Sequence, residues 1–467
     1  MTTSSIQLPA QPRLIPPQNM SVDFSPTYSN KHLINTLNEL EITLGIISEQ
    51  ERFGDQVNTS ISKSQPYHRW ARYREGYSGV LVRELIGRSN LDPRRHFTFD
   101  PMCGSGSTLV TSVQIGYDSL GCDVNPYSVD LTNAKLWHYT EDQVKQVEYF
   151  INNPLTDTPH EGYPGWQSLE DSLPYYRETH LNVLRQIKYA VEKQEDESVK
   201  HLLFVAWLSV LEDCSEKKKD GNGLASRPSK VTDVWSHFSM QVSQFLYDIR
   251  NNPLPSSATA YARKHSALNC ASIVDEFAAT TGKEVGAIVF SPPYANSFDY
   301  FESYKLELLG GYYSANELAN ARQDAIRNYR KGYGYDLTTE YELVQMLCEE
   351  VRTRIPLKET RTGRVDNRSR LVPNLLVGYF EDMGVVLEQF SQCMPSGSSC
   401  HIVVDQSAYL GVIIPTDLVL ADIAMRKGFE VESLIFCRSA KTSSQQMKQY
   451  PYLKSMLRES ILSLTRK

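Results

Sequence analysis

The stretch that decides the fold is "HFTFDPMCGSGSTLVTSVQIGYDSLGCDVNP", residues 96–126. "HFTFDPM" has the pattern of a short strand, and "GSGSTLVTSVQIGY" has that of a turn followed by a helix. "DSLGCDVNP" then reads as a second strand. Residues 96–126 therefore predict a β-turn-α-β unit of an α/β fold, with a glycine-rich turn directly after its first strand.

The turn and the second strand suggest what this unit binds. A Gly-x-Gly turn that opens a helix, here Gly104 and Gly106, lets the backbone approach a nucleotide-like ligand closely. Dinucleotide-binding folds use G-x-G-x-x-G, but the third position is Leu109. Asp123 follows Gly104 by about 19 residues, at a strand end where a carboxylate can accept both ribose hydroxyls. The pattern favours a nucleoside without phosphates, and a plain tight β-α turn is the alternative.

A second motif lies in "VGAIVFSPPYANSFDY", residues 285–300. An apolar run typical of a buried strand leads into the four residues Ser291, Pro292, Pro293 and Tyr294. Proline fixes φ and has no N–H, so the pair ends the strand in a rigid turn with free carbonyl acceptors. A surface turn or a proline-motif ligand is the alternative, but the glycine turn in the same chain favours a functional site.

Together "YREGYS" (73–78), "DPMCGSGST" (100–108) and "SPPY" (291–294) resemble the amino-methyltransferases of DNA. Those enzymes methylate the exocyclic nitrogen of cytosine or adenine with S-adenosylmethionine. The resemblance covers residues 66–127 and 262–310, and residues 378–465 in pattern. It implies a Rossmann-like methyltransferase fold: a mostly parallel seven-stranded sheet with an antiparallel last strand, plus large helical insertions.

The resemblance also implies the cofactor residues. Met102 stands where the family usually has phenylalanine, Ser107-Thr108 where it has Thr-Thr, and "LNCAS" lacks the acidic residue that often binds the adenine amine. Asn269 or Ser272 could substitute for that acid. The candidate cofactor-binding residues are Tyr73, Glu75, Asp100, Met102, Cys103, Gly104, Gly106, Thr108, Asp123, Asn269 and Ser272.

In this reading the SPPY motif performs catalysis. A ring amine is a poor nucleophile, because its lone pair is delocalised into the ring. The Ser291 hydroxyl and the Pro292 carbonyl would accept the two amine hydrogens and aim the lone pair at the methyl group. Pro293 would rigidify the turn, and Tyr294 would stack on a base flipped out of the duplex. Serine at the first position resembles the N4-cytosine group more than the N6-adenine group.

The motifs also argue against other chemistry. Carbon methylation uses a Pro-Cys nucleophile, and this dipeptide is absent from the sequence. Eight cysteines stand singly, without Cys-x-x-Cys, so neither a zinc site nor a disulfide framework is predicted. No signal peptide or membrane span is predicted, which favours the cytoplasm. The resemblance implies that this is a bacterial cytoplasm and that the enzyme is associated with the nucleoid through DNA.

The length of 467 residues is expected to divide into several units. After the first α/β unit the pattern turns helical and later returns to α/β. The predicted units are an N-terminal arm and helix (1–65), the cofactor-binding half of the core (66–135), a helical insertion (136–262), core strands with SPPY (263–300), a polar and basic insertion (301–377), and the C-terminal part of the core (378–467).

The net charge of −7 excludes a generally basic nucleic-acid coat protein, so contacts with DNA must be regional. Residues 352–370 contain seven Lys or Arg against two acids. Arg361, Arg364 and Arg368 are candidates there, and Lys217, Lys218, Lys219 and Arg227 form a second group, with a merely solvated surface as the alternative. Because 352–370 is the more basic stretch, 301–375 is favoured over 130–262 for target recognition.

The leading hypothesis is a site-specific DNA methyltransferase that forms N4-methylcytosine. By resemblance, a restriction endonuclease acting on the same site could accompany it. N6-adenine methylation and methylation of RNA or of a protein amide are alternatives. A catalytically silent nucleic-acid-binding module is a more remote one, because such a module would be expected to have lost one of the two motifs.

Overall fold

The computed structural model describes residues 23–58, 64–73, 76–153, 155–156, 158–160, 163, 171, 173–220, 223–296, 298–327, 337–440 and 444–467. Its centre is an eight-stranded sheet with the strand order β1-β11-β12-β8-β7-β2-β3-β6. The strands of the chain are β1 (Ile47–Ser48), β2 (His96–Asp100), β3 (Ser119–Asp123), β4 (Lys217–Asp220), β5 (Gly223–Ser226), β6 (Ala260–Lys264), β7 (Glu284–Phe290), β8 (Ser399–Asp405), β9 (Ser407–Tyr409), β10 (Val412–Ile414), β11 (Phe429–Ser439) and β12 (Arg458–Arg466).

All neighbours in the large sheet pair in parallel except β12, which runs antiparallel to both β8 and β11. The predicted fold class is therefore confirmed, including the antiparallel last strand. The eighth strand is the two-residue β1, which extends the sheet at the edge beside β11. The sequence predicted helix there.

Helices cover both faces of the sheet and form the insertions. They are α1 (Lys31–Leu44), α2 (Gln50–Phe53), α3 (Gly79–Arg88), α4 (Ser107–Gln114), α5 (Pro126–Leu136), α6 (Glu141–Asn152), α7 (Glu178–Glu192), α8 (Glu197–Cys214), α9 (Val234–Asn251), α10 (Ala271–Thr281), α11 (Tyr300–Ser303), α12 (Lys305–Gly311), α13 (Ala315–Ala321), α14 (Glu342–Thr362), α15 (Asn367–Arg370), α16 (Val372–Cys393), α17 (Thr416–Arg426), α18 (Ser444–Gln449) and α19 (Leu453–Met456). Short 3₁₀ turns occupy His68–Trp70, Leu173–Tyr175, Ala267–Asn269 and Arg322–Asp324.

Several of these helices have distinctive local features. The Ser78 side chain accepts from the N–H of Leu81 and caps the start of α3. α8 is buried along most of its length and carries Trp207 into the helical core. α14 continues through Pro356, which lies inside the helix. In the part of the chain that the structure describes, no helix is long and apolar enough to cross a membrane.

Two stretches adopt structures that their sequence patterns do not indicate. "SALNCAS" (266–272), which reads as a strand, is a 3₁₀ turn and the start of α10, and the third core strand is instead β6, which ends at Lys264. β6 therefore straddles the predicted boundary between the 136–262 insertion and the 263–300 core strands. The polar stretch after α8, which reads as a loop, forms the β4–β5 hairpin. Much of the basic stretch 352–370 is helical. Charged strands and helices lack the apolar periodicity by which a sequence reveals them.

Candidate active site

The strand order places the two motifs side by side. β3 and β6 lie on one side of β2 in the sheet, and β7 and β8 lie on the other. The order in which the chain adds strands therefore reverses between β2 and β7. In open α/β sheets, ligands bind at this point, outside the carboxyl ends of the strands. The glycine turn follows β2 and SPPY follows β7, and both line one cavity there.

The glycine turn needs backbone conformations that favour glycine. Gly104 has φ +50° and Gly106 has φ +79°, in the left-handed region. A Cβ on Gly104 would lie 2.9 Å from Cε1 of Tyr73, and a Cβ on Gly106 would lie 2.7 Å from the side chain of Thr132. The turn is therefore packed too closely for a larger residue at either glycine.

Side chains from neighbouring elements hold the turn in place. The N–H of Gly104 donates to Oδ2 of Asp123 at 2.9 Å. From α5, Oγ1 of Thr132 donates to the carbonyl of Gly104 at 3.2 Å, and Nζ of Lys135 donates to the carbonyl of Ser105 at 2.6 Å. The path of the turn is thus fixed from β3 and from α5.

Two carboxyl groups lie at the strand ends: Asp100 is buried and Asp123 is half-buried. Burial raises the pKa of Asp123 to about 6, although N–H groups of Asn125, Gly104 and Val124 lower it. Burial raises the pKa of Asp100 to about 7, against hydrogen bonds from Met102, Thr108 and Tyr77. Asp123 lines the cavity with oxygens that already accept two backbone N–H bonds, which orient the carboxylate.

The SPPY residues do not all face the cavity. Ser291, Pro293 and Tyr294 line it, whereas Pro292 is buried. The Tyr294 hydroxyl donates to Oε1 of Glu459 at 3.4 Å, and Glu459 in turn pairs with Arg438. The tyrosine is therefore tied to β12 and β11 while its ring lies at the cavity.

Six of the predicted cofactor residues line the cavity: Tyr73, Asp100, Met102, Cys103, Gly104 and Asp123. Glu75 lies outside the described residues. Gly106 is the N-cap of α4 and is not part of the lining.

Three other cofactor candidates lie elsewhere. Thr108 is fully buried and donates to the carbonyl of Val289 at 3.1 Å, so its hydroxyl joins α4 to β7 instead of facing the cavity. Asn269 and Ser272 are exposed and lie outside the lining, because β6 ends at Lys264. His265, Ser266 and Ala267, which directly follow β6, occupy the lining position instead.

The sequence reasoning missed several lining residues. Tyr77 belongs to the same "YREGYS" block as Tyr73 and could have been named with it; its hydroxyl donates to Oδ2 of Asp100 at 3.0 Å. Arg327 and Tyr379 also line the cavity, and Arg327 is held by Asp382 at 2.8 Å. These last residues are remote in sequence from both motifs, so only the folded chain reveals them.

The β4–β5 hairpin departs from its predicted role in DNA binding. Lys219 is buried, with Nζ 2.6 Å from Oε1 of Glu307 and 4.1 Å from the ring centroid of Tyr304. Lys218 is mostly covered and donates to carbonyls at the end of α8. Assigning Lys219 to DNA was wrong, because a buried lysine paired with a carboxylate cannot reach a phosphate.

The other two hairpin cations remain on the surface. Nζ of Lys217 donates to Oγ of Ser226 at 2.7 Å, and Arg227 pairs with Asp220 at 2.8 Å. Both have local polar partners, which weakens the case for a phosphate-binding surface on this hairpin.

The basic stretch 352–370 fits its predicted role better. Three arginines are exposed here: Arg361 near the end of α14, Arg364 in the turn that follows and Arg368 in the short helix α15. Lys358 pairs with Asp366, and Arg370 pairs with Glu359 at 2.8 Å. The two acids of the stretch are thus paired with other bases, which leaves a local excess of exposed arginine.

Comparison with known proteins agrees with the motifs. No family model matches the chain. The type II methyltransferase M.AvaI of Nostoc sp. is 27 % identical over 427 residues, which cover 84 % of this chain and 85 % of that protein. M.BsoBI of Geobacillus stearothermophilus, also a type II methyltransferase, is 26 % identical over 455 residues, 87 % of each chain. The chain is similar to type II methyltransferases along most of its length.

That similarity implies S-adenosylmethionine as the cofactor. Among solved structures, the rRNA methyltransferase aviRa of Streptomyces viridochromogenes overlaps 84 % of this chain and 85 % of its own, with 9 % identity and a TM-score of 0.28. An overlap this low carries no argument about function.

Proposed function

We propose that this protein is a DNA methyltransferase that transfers a methyl group from S-adenosylmethionine to the exocyclic amine of a flipped base, N4 of cytosine being favoured. The observation that carries the proposal is the single cavity lined by the glycine turn, Asp123 and the SPPY motif, at the reversal point of the sheet. A cofactor pocket and an amine-binding turn in one cavity are what direct methyl transfer requires.

Three features of the cavity support binding of the cofactor. Asp123 would accept the ribose hydroxyls, and the turn Cys103–Ser105 would offer a close backbone surface without a Cβ at Gly104. Tyr73 stacks on Tyr304 at a ring centroid distance of 4.8 Å and closes the cavity beside that turn. When bound, S-adenosylmethionine supplies an electrophilic sulfonium methyl group.

The SPPY turn would prepare the nucleophile. The Ser291 hydroxyl and the Pro292 carbonyl would accept the amine hydrogens, which biases the nitrogen toward sp³ geometry as the new bond forms. Tyr294 would stack on the base, since its ring lines the same cavity. No covalent enzyme intermediate is needed.

The identity of the base rests on Ser291. Serine at the first motif position favours cytosine N4, and adenine N6 is the alternative. In keeping with the resemblance to modification enzymes, we infer that a restriction endonuclease acting on the same site accompanies the enzyme.

Target recognition belongs, in this proposal, to the second insertion. Asp324–Arg327 of that insertion line the cavity, whereas no described residue of 136–262 does. The exposed arginines at the end of α14 belong to the same insertion.

The decisive experiment incubates the protein with methyl-labelled S-adenosylmethionine and duplex DNA, tRNA or no acceptor, then digests the acceptor and identifies the nucleoside. We expect labelled N4-methylcytosine from DNA, loss of label with Ser291→Ala, and normal label with the exposed control Ser272→Ala. N6-methyladenine would overturn the assignment of the base. Label in tRNA alone, or none at all, would overturn DNA methylation.

A further inference from the structure

A second basic element lies at the edge of the sheet that holds the cavity. Residues 446–456, here called the Tyr-Lys segment, connect β11 to β12 and contain Lys448, Tyr450, Tyr452 and Lys454. β11 runs in the same direction as β8, because both are antiparallel to β12. The segment therefore leaves β11 at the carboxyl edge of the sheet, where the glycine turn and SPPY also lie.

The Tyr-Lys segment is firmly packed. Leu453 is fully buried in the main core. The Gln446 amide donates to the carbonyl of Ala408 at 2.7 Å, and the Tyr452 hydroxyl donates to the carbonyl of Gly411 at 2.7 Å. A Cβ on Gly411 would lie 2.7 Å from Cδ1 of Tyr450, so both tyrosines rest on this glycine.

Those same residues connect the segment to the active site. Tyr409, between Ala408 and Gly411 in sequence, donates its hydroxyl to the carbonyl of Ala295 at 3.1 Å. Ala295 directly follows the SPPY motif. One strand pair, β9–β10, therefore separates the Tyr-Lys segment from the turn that would bind the flipped base.

The segment also lies close to α14. Nη2 of Arg354, in the middle of α14, donates to the carbonyl of Thr27 at 3.1 Å. Thr27 in turn donates to the carbonyl of Gly411 at 2.9 Å. α14, through Thr27, and the Tyr-Lys segment, through Tyr452, are thus both connected to the carbonyl of Gly411, and the two elements together are here called the rim.

The charge of this rim is positive. Residues 446–456 contain two lysines and no acid. Lys448 and Lys454 are exposed and form no ion pair within the described part of the chain, and the same holds for Arg361. Unpaired exposed cations in a chain of net charge −7 are suited to phosphates.

We propose that the Tyr-Lys segment is a second DNA-binding surface, which holds the phosphate backbone of the duplex beside the flipped base while the end of α14 holds it further along the rim. This inference rests on the proposed function. It assigns a role to residues that connect the last two strands, outside both insertions.

The test measures binding of a short fluorescent DNA duplex by anisotropy over a range of salt concentrations. For Lys448→Gln/Lys454→Gln we expect about tenfold weaker binding at low salt and a slope of log Kd against log salt lower by about 1.8, since each lost phosphate contact removes about 0.9. Affinity for S-adenosylmethionine and the unfolding temperature should not change. The matched control Arg94→Gln/Arg95→Gln removes two exposed charges just before β2, at the opposite edge, and should bind as wild type does.

The outcomes separate this inference from the proposed function. If wild-type protein methylates duplex DNA and the lysine variant binds with an unchanged salt slope, the Tyr-Lys segment does not contact DNA. If wild-type protein prefers tRNA and does not methylate duplex DNA, the proposed function fails first. Arg361→Glu/Arg364→Glu/Arg368→Glu serves as a reference for losing the α14 end of the rim.

Discussion

At the scale of single residues, the ring and the hydroxyl of Tyr294 make separate contacts. Its ring lines the cavity, and its hydroxyl donates to Glu459 on β12 at 3.4 Å. A bond of that length at the edge of hydrogen-bonding distance contributes little. The ring should therefore carry most of the function of this tyrosine, as stacking on a base requires.

We predict that Tyr294→Phe retains most of the turnover, whereas Tyr294→Ala loses about 1–3 kcal/mol of stacking, or roughly 5- to 150-fold in kcat/KM. Steady-state methylation of duplex DNA measures both. Equal and severe losses in the two variants would contradict stacking and assign the function to the hydroxyl.

Lys135 is a residue that neither motif revealed. It is 1 % exposed, burial lowers its pKa to about 7, and Nζ donates to the carbonyl of Ser105 in the glycine turn. We predict that Lys135→Met weakens S-adenosylmethionine binding about tenfold, because a lost donor to such a carbonyl costs about 1–3 kcal/mol.

Calorimetry of cofactor binding tests this. The control is Lys145→Met, which changes an exposed lysine on the neighbouring helix α6. Cofactor affinity equal in both variants would show that the turn keeps its shape without Lys135.

At the scale of elements, the β4–β5 hairpin acts as a structural connection between the first insertion and the helices after SPPY. Lys219 lies between Glu307 of α12 and Glu212 of α8, at 2.6 and 3.6 Å. Its ammonium also lies over the ring of Tyr304, which stacks on the cavity residue Tyr73. The hairpin thus supports one wall of the cavity from behind.

We predict that Lys219→Met lowers the free energy of unfolding by about 3–5 kcal/mol, because it leaves the buried carboxylate of Glu307 without the cation that pairs with it. Lys217→Met should stay within about 0.5 kcal/mol of wild type, as a surface change does. Urea denaturation compares them, and similar stability of the two variants would contradict the structural role of Lys219.

The hairpin also shows where sequence reasoning ends. Strands β2, β3 and β7 were predicted because apolar runs and turn residues are local signals. The run Lys217–Lys219 looked like a solvated surface, since the carboxylate that neutralises Lys219 is 88 residues away. Arg327 and Tyr379 escaped prediction for the same reason: distant contacts, not local patterns, bring them to the cavity.

At the scale of the whole molecule, folding removes several ionisable groups from water. Burial raises the pKa of Asp100 to about 7 and that of Asp123 to about 6, whereas it lowers the pKa of His68 to about 3. The motifs predicted the position of Asp100 and Asp123, but burial depends on helices from remote parts of the chain. The stability of the fold should consequently depend on pH in a way that the sequence does not indicate.

The direction in which the free energy of unfolding changes with pH follows from the number of protons that each state binds. An aspartate has a pKa of about 3.9 in the unfolded chain, so between about pH 4 and 7 the folded protein binds more protons at Asp100 than the unfolded chain does. The contribution of Asp100 to the free energy of unfolding therefore falls as pH rises through this range and is constant above it. Because His68 acts in the opposite sense between about pH 3 and 6.5, the effect of Asp100 must be isolated by comparison with a variant.

We predict that Asp100→Asn becomes progressively more stable relative to wild type as pH rises from about 4 to 7, by at most about 1.4 kcal/mol per pH unit, and that the difference is constant above about pH 7. Asparagine cannot ionise, so it avoids the cost of a buried charge while it still accepts from Tyr77. Urea denaturation of both proteins across this range measures the difference. A difference that does not vary with pH would mean that Asp100 ionises as easily in the folded protein as in the unfolded chain.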